Sequence, residues 1–433
     1  MRTVGFVRLF CSVLTLLPAA AAQQPASAAA ASLWNGKDLA GWHGEKSVSP
    51  DAKAAMTSEQ RAKFLADGNA SVQEHWRVEG NELVNDGHGA FLTTDRDYGD
   101  ALFTLEYKTV AQADSGIYLR GVPQVQIWDT TEAGGKWHLG ADKGSGALWN
   151  NKVGERFPAT CADRPFGEWN ALRILMVGER VWVTLNDIVT VDGVRMENYW
   201  DRSKPLPRTG PLQLQTHGGE IRFRNLFVRE LSSAESDHYL AARDAHAFAP
   251  IFDGKTFAGW QGDLDNYEVV AGAIRCRAGK GGNLFTKDAY GDFSVRLQFR
   301  LPSGGNNGLA MRYPGQGTPA YSGIELQVLE NTADKYADLK PWQFHGSAYG
   351  LAAAQRGYLR PVGEWNFQEV TAIGTRYIVE LNGFVVLDCD VAKLESNLKD
   401  HVGKDRVEGH FGLCGHNDPV EFRHLMVRGA ARR

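Results

Sequence analysis

The chain has 433 residues, with 47 Lys and Arg against 51 Asp and Glu, 48 Gly and 12 Trp. So even a charge balance, without long basic or acidic blocks, excludes an electrostatic nucleic-acid footprint and a polybasic membrane anchor. At roughly 100–200 residues per domain the length calls for two or three domains, and the many glycines point to the tight turns of an all-β protein.

Residues 1–22 read as a signal peptide: Arg2 and Arg8, a short apolar run Phe10–Leu17, then Ala20, Ala21 and Ala22 before a cleavage site near Gln23. The run is too short to span a bilayer, which needs about 20 residues, so an exported periplasmic or extracellular protein without stable membrane insertion is expected. Residues 23–31 form a low-complexity tail. Past Cys11, in the leader, four cysteines remain: Cys161, Cys276, Cys389 and Cys414. Either one bridge forms in the C-terminal half or the thiols are free.

An internal repeat dominates the rest. Leu33–Trp42 (LWNGKDLAGW) returns as Ile251–Trp260 (IFDGKTFAGW), Ser115–Arg120 as Asn307–Arg312, and Gln124–Asp129 as Glu325–Glu330. Gly167–Asn170 returns as Gly363–Asn366, Leu185–Asp187 as Leu381–Gly383, and Gly210–Glu230 as Gly409–Gly429. Six segments in the same order define two full domains, 32–231 and 250–431, joined by 232–249 as a helix or linker. The first copy carries an insert, 43–74, whose core 49–67 reads as a surface helix with Ser49 as N-cap and Pro50 at its first turn. Period-two runs at 102–108, 172–177, 181–185, 220–228, 293–299 and 377–381 read as strands, with hairpin turns at Asn186-Asp187 and Asn382-Gly383. The opening motif of each copy is expected to pair with its closing strand, making Trp42 and Trp260 core anchors. The fold class is all-β, two tandem sandwiches of jelly-roll type.

The strand 325–330 draws attention for chemistry. Glu325 and Gln327 share a face, and Glu330 reaches it only through a bulge. A retaining glycosidase needs two carboxyl groups about 5–5.5 Å apart. The first copy has Gln124 in place of Glu325, Gln126 aligned with Gln327, and Asp129 as its one carboxylate, which argues against double displacement there. The alternative is a polar strand that hydrogen-bonds sugar hydroxyls. Arg120 and Arg312 either donate to a substrate oxygen or form ion pairs. His217 and His416 either act as general bases or cap turns. His138 and His345 lie in the following long loops with Trp128, Trp137, Trp149, Trp342 and Tyr349, which are stacking platforms or core filler. Lys136 and Lys340 are weaker candidates. Asp114, Asp129 and Asp142 offer oxygen ligands for a divalent metal such as calcium, yet match no established loop spacing, and no cofactor is called for. No GxSxG, P-loop or HExxH motif occurs.

Together the segments 33–42, 115–120, 124–129, 167–170 and 214–225, with their counterparts in the second copy, resemble the 3-keto-disaccharide hydrolase domain family. The resemblance implies a concanavalin A-like jelly roll, related in fold to family-16 glycoside hydrolases, whose Glu-x-Asp-x-x-Glu strand is similar in spacing to 325–330 but differs at Gln327. It implies a glycoside or disaccharide already oxidised at sugar carbon 3 by a separate dehydrogenase. A 3-ketone acidifies the hydrogen on carbon 2, so one base, one donor at the ketone oxygen and one acid suffice for elimination followed by hydration. In the second copy this gives Glu325 or His416 as base, beside Gln327, with Arg312 at the oxyanion and Glu330 as acid or orienter. In the first copy it gives His217, beside Gln126, with Arg120 and Asp129. Gln124, Trp128, His138, Trp149, Trp342, His345 and Tyr349 are the expected substrate contacts. The competing readings are a lectin-like glycan-binding protein, one active copy beside one binding copy, and a conventional glucanase.

Overall fold

The computed structural model describes residues 29–429 and the backbone of 431–432; the signal-peptide segment 1–22 and most of the tail lie outside the described residues. Each repeat folds as a sandwich of two antiparallel sheets. In the first, a five-stranded inner sheet runs in the order Trp42–Glu45, Phe91–Tyr98, Gly210–Leu214, Asp114–Leu119, Val122–Trp128. An eight-stranded outer sheet backs it, centred on Ala101–Thr109 and Ile221–Glu230. The second sandwich repeats the plan, with the inner order Trp260–Gly262, Gly281–Tyr290, Gly409–His416, Asn306–Tyr313, Ile324–Leu329.

The register shows why the sequence repeats. Trp42 lies opposite Thr94 as Trp260 lies opposite Thr286, and Gly116 opposite Gln126 as Gly308 lies opposite Gln327. Ala31-Ser32 and Ala249-Pro250 each pair with the closing strand of their own copy. Trp42 and Trp260 are buried, and their indole N–H groups donate to Leu33 O and Ile251 O at 2.8 and 2.7 Å, stapling each opening motif to the core. The hairpins at Asn186-Asp187 and Asn382-Gly383 place both turn residues at positive φ, as a two-residue turn between twisted strands requires.

Alternation decides what each inner sheet shows to solvent. Ile117, Leu119, Val125, Ile127, Leu212 and Leu214 point into the core, so Asp114, Gly116, Tyr118, Gln124, Gln126, Trp128, Gln213 and Gln215 fall on the other, concave face. The insert differs from expectation. Residues 43–45 complete the edge strand, Ser49 caps a short helix Pro50–Ala54, and the chain restarts after Met56 with a Thr57–Gln60 capping box on a longer helix, Ser58–His75. Gly68 of that helix meets Gly44 of the edge strand backbone to backbone, an approach that any side chain at either position blocks.

The joining segment forms the helix Ser233–Ala242, started by a Ser232–Glu235 capping box. It is wedged between the outer sheets: Leu240 packs with Leu175, Val177 and Phe367, and Asp237 bonds Arg360 and Gln298, each at 2.7 Å. Arg243 reaches Glu369 and Glu380 at 2.7 and 3.0 Å, and Glu380 also pairs with Arg180. The sandwiches therefore dock through their outer sheets, and neither concave face is used for docking. All four cysteines 161, 276, 389 and 414 are free, so the bridge considered among the last three does not form. No helix among the described residues is long and apolar enough to cross a membrane.

Candidate active site

On the concave face of the first sandwich the side chains enclose a cavity of about 460 Å³. Asp114, Gln124, Gln126, Gln215 and the exposed His217 supply its polar lining, and Trp128, Trp149, Tyr118, Tyr199 and Trp200 its aromatic lining. His217 Nδ1 and Asp114 Oδ2 are 2.9 Å apart, and Lys136 Nζ pairs with the same carboxylate oxygen. Because a carboxylate only accepts, Nδ1 carries the hydrogen and neutral His217 keeps its lone pair on Nε2, which has no protein partner among the described residues. The hydrogen bond and charge of Asp114 raise the imidazole pKa above its usual 6.5. Burial pushes the Asp114 carboxyl upward, but the bonds from His217 and Lys136 outweigh it and hold the group below the ordinary carboxylate range. Burial lifts the Tyr118 phenol to about 12, so it remains a donor at neutral pH.

Of the residues expected in the first copy, Gln124, Gln126, Trp128, Trp149 and His217 come together here. Trp128 is mostly buried, donates to Gly144 O at 3.0 Å and meets Trp149 edge-on at 6.1 Å between centroids. His138 is exposed on a neighbouring loop and is not among the lining residues. Asp114 as the partner of the histidine is the residue the sequence reading missed.

Two pairs of expectations need correction. Arg120 is fully buried away from the cavity: Nη1 donates to Gly178 O and Pro207 O and Nη2 to Asp100, each at 3.0 Å. Arg312 repeats this, donating to Gly291 O, Gly374 O and Arg406 O and to Asp292. Each sits at positive φ where its strand ends, and its guanidinium ties adjacent loops together, so neither is an oxyanion partner. Asp129 accepts from Gln112 N, Thr131 N and Thr131 Oγ1 at 2.7–2.8 Å, and Glu330 accepts from Thr332 and Gly304 N in the same way. Both carboxylates clamp the loop after their strand, and no bulge returns them to the concave face. Asp114, Asp129 and Asp142 are not gathered into one ligand set: no group of three or more His, Cys, Asp or Glu among the described residues is placed to hold a metal ion.

The second concave face is built differently. Glu325, Gln327 and His416 meet, with Glu325 Oε1 3.4 Å from His416 Nε2 and 3.2 Å from Gln327 Nε2. Around them Phe285, Ala310, Tyr313 and Cys414 form an apolar cluster where the first copy has Thr93, Tyr118 and Gln215. Trp342 and Tyr349 pack edge-on at 5.0 Å. His345, expected at the substrate, is instead enclosed: Nε2 bonds Gln368 Oε1 at 3.0 Å, Phe299 packs on the ring, and burial drives its pKa down to about 3.

Each half is thus a jelly-roll sandwich, and the first presents a polar, aromatic-walled cavity on its concave face. The chain belongs to the family defined by the 3-keto-alpha-glucoside-1,2-lyase-like domain, whose model matches it twice, at residues 29–229 and 247–428. That membership places it among glycoside hydrolase-like enzymes. A 3-keto-disaccharide hydrolase of Bacteroides thetaiotaomicron is 26% identical over 267 residues, covering 51% of this chain and 91% of the relative. Among solved structures, a candidate glycosyl hydrolase of Parabacteroides distasonis shares 25% identity at a TM-score of 0.39, covering 42% of this chain and 99% of its own. The carbohydrate binding module CBM66 of Bacillus subtilis shares 16% identity at a TM-score of 0.29, covering 40% of this chain and 96% of its own.

Proposed function

We propose that the first sandwich cleaves the glycosidic bond of a 3-keto-glycoside and that the second is not catalytic. The carrying observation is the Asp114–His217 pair, with Lys136 on the same carboxylate, in the lining of a polar cavity without a second carboxylate fit for double displacement. His217 Nε2 takes the proton from sugar carbon 2, and the electron pair moves toward carbon 3 as the ketone becomes an enolate. Lys136 Nζ, held on the Asp114 oxygen that also holds His217, is the cation assigned to the developing oxyanion, and Asp114 stabilises the imidazolium. When the ketone re-forms, the double bond between carbons 1 and 2 is made, the bond from carbon 1 to the glycosidic oxygen breaks, and that oxygen takes a proton from His217 or Tyr118. Water then adds across the double bond, its hydroxyl to carbon 1 and its proton to carbon 2, so that the net change is hydrolysis. A dehydrogenase that oxidises carbon 3 would supply the substrate, and the leader-like segment 1–22 supports a reaction outside the cytoplasm.

Substitution separates the copies. Glu325→Gln is expected to leave turnover of 3-keto-trehalose within about twofold of the parent, whereas His217→Ala lowers it at least about a hundredfold. The opposite pattern would move catalysis to the second sandwich.

A further inference from the structure

Asp114 does more than hold His217. Since a carboxylate offers no hydrogen, the Gln126 amide beside it has to turn its NH2 inward, and Nε2 donates to Asp114 Oδ1 at 2.8 Å and to Ser115 O at 3.0 Å. Gln126 Oε1 then faces Gln124, which must offer its own NH2, and Gln124 Nε2 donates to that oxygen. One negative charge thus sets two amides in a row and leaves Gln124 Oε1 buried without a protein partner. Gln215 Oε1, on the neighbouring side of the same cavity, is buried and unpartnered as well. The two oxygens converge over Gly116: a Cβ there would fall 2.8 Å from the first and 3.0 Å from the second. A buried acceptor without a donor is destabilising, so a ligand that brings O–H groups gains and one that brings only acceptors loses.

In the second copy the polarity runs the other way. The acid stands at Glu325, where the first copy has Gln124; Asn306 replaces Asp114, Cys414 replaces Gln215, and Gln327 donates to Glu325. Among the described residues, the positions that match Gln124 and Gln215 in the second copy, Glu325 and Cys414, do not form such a pair of unpartnered amide oxygens.

We propose that Asp114, acting through Gln126, makes Gln124 Oε1 an acceptor that, together with Gln215 Oε1, reads two hydroxyl groups of one sugar ring lying over Gly116. This rests on the first sandwich being the one that takes the sugar. A ketone oxygen cannot donate, so the pair turns carbon 3 away from Gln124 and toward Lys136, and Gln124 and Gln215 are specificity residues that move no proton in the reaction.

The test is calorimetric binding of methyl 3-keto-glucoside and its monofluoro analogues at carbons 2, 4 and 6, with the full chain carrying His217→Ala so that no ligand is consumed. Fluorine in place of the contacted hydroxyl is expected to weaken binding about tenfold or more while Gln124 is present. It weakens binding less than about twofold once Gln124→Leu is added. Should Gln124→Leu fail to fold, Gln215→Leu carries the same expectation. Equal losses with and without Gln124 at every position, or no binding of the hydroxylated parent, overturn the proposal. Turnover of 3-keto-trehalose by the unaltered chain is scored separately, so its absence strikes the catalytic reading whatever the fluorine series gives.

Discussion

His217 and Asp114 stand 103 residues apart in sequence and 2.9 Å apart in space. That pairing sets the pH behaviour. A base works when neutral, and Asp114 raises the imidazole pKa above 6.5, so turnover is expected to fall as pH drops through a value above 6.5. Asp114→Asn removes the raising charge and its strongest hydrogen bond, so the acid limb of the kcat/KM profile moves to lower pH while the maximal rate also drops. An unmoved limb would separate the titrating group from His217. The histidine was legible as a candidate base, or as a turn cap, from its repeated place at the end of the penultimate strand. Asp114 was not, because the repeat has Asn306 there and residues that recur attract attention first. Recurrence also misled at Arg120 and Arg312: a strand end at positive φ that needs its surrounding carbonyls satisfied recurs in two copies as faithfully as a catalytic group does.

At the scale of elements, period two and the turn residues marked the strands, because alternation follows directly from one face of each inner sheet being core. What alternation cannot tell is where a strand stops. The run Gln124–Asp129 reads as one strand, yet it ends at Trp128 and Asp129 turns back to hold Gln112 and Thr131. Asp129→Ala frees two backbone donors at once, so a loss of about 2 kcal/mol in denaturant unfolding is expected, with catalysis affected only through the loop. A collapse of turnover at unchanged stability would return Asp129 to the chemistry. The insert was legible at its Ser49 cap, whereas the break after Met56 and the extension to His75 follow from the Thr57 cap and from the Gly44–Gly68 contact, which needs the folded edge strand.

The two sandwiches are held by a mixed seam of apolar and ionic contacts around the helix Ser233–Ala242, and the paired charges are buried. Glu380 is enclosed by Arg180 and Arg243, which outweigh its burial and hold its pKa far below the usual carboxylate range. Glu380→Ala leaves Arg180 without its anion and Arg243 with Glu369 alone, and a loss of roughly 3–5 kcal/mol is expected in chemical denaturation. The sign with pH follows from the depressed pKa: this contribution is complete above the unfolded carboxylate value near 4.3 and fades as pH falls below it. None of this seam was legible in the sequence, since its partners are scattered from 180 to 380 and the polar 232–249 stretch reads equally well as a linker. Its consequence is that both concave faces stay clear.

On the proposed mechanism the first concave face cleaves sugars only after carbon 3 has been oxidised. Incubation of the purified chain with 3-keto-trehalose and with trehalose, followed by mass spectrometry, tests it most directly. Fragments are expected from the keto sugar alone, lost with His217→Ala and kept with Glu325→Gln. Cleavage of unoxidised trehalose, or an intact keto sugar across a small panel of 3-keto-glycosides, would contradict it.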